Sequence, residues 1–233
     1  MKKNFRKPAS LLLVAACVFF TQNTTAQTMM ASKTGSSKSG FGFRVGLNYA
    51  KVSGGSDSIL YRYKPGLMVA VFLAPQSTGV ISYRSELLYS KQGFDYTDPS
   101  GRTGTVSNDY LMLPQMIGIN ITKFVQLQAG AFVGYLLHTK DSNLPKESIS
   151  TDPSKAALEL MNRVDFGAAG GIEIHLFKGL ILNARYNMGF AKLYKEQSDI
   201  PQSDPAAVYN PLAKYQNINT KNAVIQLSVG YRF

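Results

Sequence analysis

Eight stretches in which bulky apolar residues alternate with small or polar ones predict an all-β chain, folded as an eight-stranded antiparallel up-and-down transmembrane β-barrel. Two further observations point the same way. The links between stretches are alternately short and long, and the last stretch ends on the aromatic Phe233 after Ile225, Leu227, Val229 and Tyr231. Neighbouring side chains on a strand point to opposite faces, so each stretch meets two environments.

Residues 1–26 read as a secretory signal peptide. Lys2, Lys3, Arg6 and Lys7 form a basic start, Leu11 to Phe20 is apolar, and Thr24-Thr25-Ala26 supplies small residues for cleavage. The apolar run is shorter than the roughly 20 residues a membrane helix needs. Val14-Ala15-Ala16-Cys17 also resembles a lipobox, so lipid attachment at Cys17 stays open beside removal of this sole cysteine with the leader. Either way, one mature chain cannot form a disulfide. Residues 27–40 are rich in Ser, Lys and Gly and read as a flexible lead-in. Residues 41–233 form the barrel. The formal net charge of +11 includes the four leader cations, leaving +7, and the basic residues are scattered. That balance suits anionic lipid headgroups and gives no nucleic-acid footprint. Mean hydropathy is slightly negative, as expected when only alternate residues face lipid.

In the first strand Phe41, Phe43, Val45, Leu47 and Tyr49 oppose Gly42, Arg44, Gly46, Asn48 and Ala50. The second, Tyr61 to Ala74, sets Leu67, Val69, Val71 and Leu73 on one side. The third, Val80 to Gln92, sets Ile81, Tyr83, Leu87 and Tyr89 against Ser82, Arg84, Glu86 and Ser90. The fourth, Tyr110 to Ile121, is apolar on both faces and ambiguous in phase. Its Pro114 predicts a bulge, because proline cannot donate to a ladder. The fifth, Val125 to His138, opposes Val125, Leu127, Val133, Tyr135 and Leu137 to Gln126, Gln128, Gly130 and Gly134. The sixth, Arg163 to Leu176, and the seventh, Leu180 to Lys192, repeat the pattern around Asp165, Glu173 and His175, and around Asn183, Arg185 and Asn187. In the eighth, Ala223 to Phe233, Gln226, Ser228, Gly230 and Arg232 lie opposite the apolar series.

Short links fall at Pro75–Gly79, Thr122–Phe124 and Lys178–Gly179. Long polar links fall at Ser53–Leu60, Phe94–Asp109, Thr139–Asn162 and Leu193–Asn222. Short periplasmic turns and long extracellular loops are the asymmetry of outer-membrane barrels, and an even strand count returns both termini to the periplasm. A soluble barrel would bury the apolar face instead. Here the charges share the face opposite the bulky residues, which places lipid outside.

Gly46-Leu47-Asn48, Ser85-Glu86-Leu87-Leu88-Tyr89-Ser90-Lys91-Gln92-Gly93, Tyr110-Leu111-Met112-Leu113-Pro114, Gln128-Ala129-Gly130, Gly134-Tyr135-Leu136-Leu137, Asp165-Phe166-Gly167, Ala184-Arg185-Tyr186-Asn187-Met188-Gly189 and Gly230-Tyr231-Arg232-Phe233 occur in this order. Together they resemble the PorT-like outer-membrane β-barrel family from about Phe41 to Phe233; Met112 stands where its pattern has an acidic residue. The resemblance implies an outer-membrane barrel with periplasmic termini, and a link to protein secretion through the family's namesake.

Arg44, Arg84, Glu86, Asp165, Glu173, Arg185 and Arg232 are the inward charges. Glu173 and Arg185 come close across the Lys178–Gly179 turn. They read either as a polar pore or as a salt-bridged plug, since an eight-stranded lumen is just filled by side chains. Val229, Tyr231 and Phe233 resemble the signal read by barrel-assembly machinery. Ala129, Ala131, Ala168 and Gly170 put small residues on the lipid face, either as a docking patch for an envelope partner or as side chains that lipid tolerates. Tyr194, Tyr209 and Tyr215 on the last long loop can anchor a partner or pack on the rim. Asp152-Pro153 reads as a helix start. His138 with Asp141 is the one candidate base pair for a hydrolase, with no nucleophile beside it; His138 and His175 fall at opposite barrel ends. No metal or cofactor motif is present. The expected function is a non-enzymatic structural or interaction barrel, with a small-solute channel as the alternative and an outer-membrane hydrolase a distant third.

Overall fold

In the computed structural model, which describes residues 40–54, 59–75, 79–142, 158, 161–195 and 219–233, each predicted stretch is a strand. They are β1 (Phe41–Ser53), β2 (Leu60–Leu73), β3 (Ile81–Thr97), β4 (Thr103–Asn120), β5 (Val125–Asp141), β6 (Val164–His175), β7 (Leu180–Gly189) and β8 (Lys221–Arg232). Each pairs antiparallel with its sequence neighbour, and β1 pairs with β8 to close the barrel. The leader, the 27–39 lead-in, Asp152, Tyr209 and Tyr215 lie outside the described residues.

Burial follows the two-residue period. Val45, Leu47, Val69, Val71, Leu113, Ile117, Leu127, Val133, Ile172, Leu182, Leu227 and Val229 all stand exposed on the outer wall, while the polar set is buried within. Such an apolar wall is stable only against lipid, because exposed apolar patches of this extent associate in water. Aromatic residues flank the band. Phe233 stacks on Phe41 at 6.0 Å and meets Tyr231 edge-on at 5.1 Å, and Phe166 and Phe190 pair at 6.3 Å near the other rim. From Phe41 to Tyr49 the strand climbs about 20 Å along the axis, at about 3.3 Å per residue and a tilt of about 40°, close to the height of a membrane band.

The link between β6 and β7 is a two-residue turn. Lys178 (φ 54) and Gly179 (φ 84) both take the left-handed region, as a type I′ hairpin requires. A Cβ on Gly179 would run into the Arg232 carbonyl oxygen.

Two expectations are corrected. The segment Phe94–Asp109 is not a loop: β3 and β4 continue as a paired hairpin out to Thr97 and Thr103. Phe94, Tyr96 and Val106 keep turning inward there, so the two-residue period runs past the membrane band. Pro114 carries no bulge and stays in register with Phe132; the β4–β5 shift lies between Asp109 and Tyr110, where Leu137 of β5 is the extra residue. Pro114 faces inward, and β3–β4 pairing resumes in the same register on both sides of it.

Candidate functional site

The alternating pattern turns long polar side chains from all sides into a narrow lumen. At its centre Glu86 accepts from Arg44 Nη2 at 2.6 Å and from Arg185 at 2.8 and 2.9 Å, and Arg84 Nη1 lies 3.8 Å away. Arg44 also donates to Asn183 and Ser228. Nearer the short-turn end both Arg84 terminal nitrogens donate to Glu173, and the Arg84 guanidinium lies 4.4 Å above the Phe72 ring. Gln128 and Asn183 donate further bonds to Glu173 Oε2, and His175 Nε2 sits 3.1 Å from Oε1. The Glu86 and Glu173 side chains are 0% exposed. Burial on this scale is sustained only by such mutual pairing.

The partners differ from the sequence expectation. Glu173 pairs in register with Asn183 rather than Arg185, and its cation is Arg84 on β3. Arg185 reaches across the barrel to Glu86. An arginine and a glutamate reaching inward from opposite walls meet near the axis, so height along the axis decides the partner more than adjacency in the sheet. Asp165 does not join the cluster: its Oδ2 accepts from Asn222 at 2.9 Å near the long-loop end, beside Tyr110. Arg232 lines the short-turn mouth and, among the described residues, makes no ion pair.

Above the charges the lumen mixes hydrogen-bonded polar side chains, such as Asn48 with Ser90 and Gln226, with an apolar cluster. Met68, Leu88, Met112, Phe132 and Ala169 fill the middle; Phe94, Tyr96, Val106, Leu136, Leu158, Met161 and Leu193 close the long-loop end. Tyr194 packs against this cluster and its backbone bridges Met161, so it belongs to the rim rather than to a free loop surface. Asp141 Oδ1 accepts from the Tyr96 hydroxyl at 3.4 Å. His138 and His175 each lie at the C-terminal end of a strand, and because β5 and β6 run antiparallel they stand at opposite ends of the barrel, as the sequence suggests.

On the outer wall Ala129 pairs with Gly170 and Ala131 with Ala168, so the four small residues form one contiguous patch. Beside it, Gln115 pairs with Ala131 on one side and Ser85 on the other. Gln115 donates to Ser85 at 3.0 Å and accepts from the Tyr83 hydroxyl. Apart from tyrosines, Ser85 and Gln115 are the polar side chains of the described lipid-facing band. Gln115 is masked in the sequence because β4 is apolar on both faces, whereas Ser85 falls between Tyr83 and Leu87 on the outward face of β3. The shared parity of Leu111, Leu113, Ile117 and Ile119 was the available signal.

A closed eight-stranded antiparallel barrel with an apolar, aromatic-girdled wall and a charge-packed lumen defines an integral outer-membrane β-barrel protein. The chain belongs to the outer membrane protein beta-barrel domain family, whose model matches residues 21–195. Among solved structures, Neisserial surface protein A is similar at TM-score 0.50 and 12% identity, over 84% of this chain and 98% of that one. Ail, the attachment invasion locus protein of Yersinia pestis, is similar at TM-score 0.44 and 16% identity, over 84% and 99%. OprG from Pseudomonas aeruginosa is similar at 0.42 and 11%, over 85% and 98%. No curated protein matches the chain. At these identities the likeness to Neisserial surface protein A bears on fold alone.

Proposed function

We propose that this protein is a non-enzymatic structural or interaction barrel that works through its outer wall and long loops, within an envelope or secretion assembly. The observation that carries this reading is the packed lumen: ion-paired arginines and glutamates occupy one half, and an apolar cluster interleaved with hydrogen-bonded Asn48, Ser90, Gln226, Asp165 and Asn222 occupies the other. A small-solute channel needs a continuous wet path, which such packing opposes. The even strand number and short turns support termini in the periplasm and long loops outside. The motif series resembling the PorT-like family fits a role in secretion.

The small-residue patch, with Ser85 and Gln115 beside it, supplies the contact. Small side chains let another membrane segment approach closely, and polar groups in the lipid band find partners across such interfaces. Affinity purification from native membranes, followed by native electrophoresis, tests the reading. Wild type should migrate in a complex larger than the monomer, and Ala131→Leu/Ala168→Leu should release the monomer. An unchanged complex in the double variant removes the wall from the proposal. A steady current from wild type in planar bilayers would favour the channel instead.

A further inference from the structure

The lumen is not electrically balanced along its axis. In the half next to the short turns Arg44, Arg84, Arg185 and Arg232 face, among the described residues, the carboxylates of Glu86 and Glu173, whereas Asp165 lies towards the far end. The surplus sits at an opening. A cavity of about 590 Å³ enters the barrel at the short-turn end, lined by Arg84 at its floor, Arg232 and His175 on its wall and Lys123 on its rim. Arg84 and His175 are tied to Glu173, but Arg232 and Lys123 have no ion-pair partner among the described residues. Neutral polar side chains complete the lining: Gln126 donates to the Ser82 hydroxyl oxygen at 3.0 Å and to Asn120 at 2.7 Å, and the Ser82 hydroxyl donates to the Gly118 carbonyl. The lining residues include no carboxylate.

We propose that this mouth is a binding site for an oxyanion, a carboxylate or phosphate group presented from the side the short turns face. Guanidinium groups form paired hydrogen bonds with such planar or tetrahedral oxyanions, and a half-buried arginine whose facing carboxylate, Glu173, is already held by Arg84 gains from one. The cavity has the volume of a small-molecule site rather than of a single-ion site. The chain's own 27–39 segment carries Lys33 and Lys38 and no acidic residue, so its charge does not suit the site. Naming the periplasm as the source of the ligand rests on the sidedness proposed above; the site itself does not.

The experiment is calorimetric titration of the full-length protein in maltoside micelles, which bring no phosphate, at low ionic strength. The probes are inorganic phosphate in one arm and citrate in the other. Wild type should bind at least one saturably. Arg232→Gln and Lys123→Gln should each weaken it about tenfold, the loss of one charge-assisted contact. Arg102→Gln, in the loop at the opposite end, should leave it unchanged. Tighter citrate identifies a carboxylate-bearing ligand and tighter phosphate a phosphate-bearing one. Lys123 lies on an exposed turn, so its variant reports even if Arg232→Gln fails to give the folded, heat-modifiable band. No saturable binding by wild type, or unchanged affinity in Lys123→Gln and in any folded Arg232→Gln, overturns the site. Neither result bears on native complex size, so this site and the interaction proposal fail separately.

Discussion

Glu86→Gln is the sharpest perturbation of the lumen. The amide keeps the volume of the carboxylate, so no cavity is created and the change is one of charge. Glu86 holds Arg44 at 2.6 Å and Arg185 at 2.8 Å, and all three side chains are 0% exposed. Its loss leaves two guanidiniums without their carboxylate, and the surplus of positive charge in that half of the lumen rises. Breaking a buried pair costs about 3–5 kcal/mol. The amide oxygen still accepts one bond, so the lower end applies, about 3 kcal/mol or roughly 150-fold in the unfolding equilibrium. With a urea slope near 2 kcal/mol/M, the midpoint should fall by about 1.5 M. The assay is urea unfolding in lipid vesicles, followed by the heat-modifiable gel shift. Arg44→Met/Glu86→Leu/Arg185→Met should recover most of the loss, because apolar replacement of a whole buried network is often neutral. A Glu86→Gln midpoint within about 0.3 M of wild type would refute the view that pairing sustains the buried charges.

Deleting Phe233 removes a ring stacked on Phe41 and the N–H that donates to the Phe41 carbonyl at 3.0 Å, so the folded outer-membrane band should drop sharply in cell fractionation. Gly179→Val should slow or reduce folding in a gel-shift time course, since valine resists the left-handed conformation and would meet the Arg232 carbonyl oxygen, whereas Lys178→Asn should be neutral. In the β3–β4 loop the Ser100 hydroxyl, then the Arg102 amide and guanidinium, hold the Asp98 carboxyl down at about 2. Because this lies below its unfolded value of 3.8, the loop keeps its bonds above that range and loses them only as pH falls through about 2. The Ser100 and Arg102 amide resonances should therefore stay flat from neutral pH to about 4 and move only below it.

Which residues face in and which face out was legible in nearly every strand, because a two-residue period needs only one chain to read. Arg44, Glu86, Glu173 and Arg185 were assigned to the lumen on that basis, and the small patch to the wall. The partners of those charges were not legible. Period two says which face Arg185 occupies, but not that Glu86, four strands away, stands at its height; that depends on the stagger of the closed sheet. Asp165 was grouped with the cluster for the same reason, since parity carries no information about position along the axis. The outward Gln115 was hidden by Met112 and Met116, whose apolarity masks the phase of β4. The extension of β3 and β4 was written in Phe94, Tyr96 and Val106, but Gly93 and the polar residues between them read as a loop.

Glu86 lies 42 residues from Arg44 and 99 from Arg185 along the chain. Arg84 of its own strand approaches it at 3.8 Å, but its two closest partners arrive on β1 and β7. A sheet built only as far as β6 would hold Glu86 without Arg185, its bidentate partner from across the barrel. The network therefore acts as a latch on assembly. It favours the closed cylinder over intermediates that lack β7.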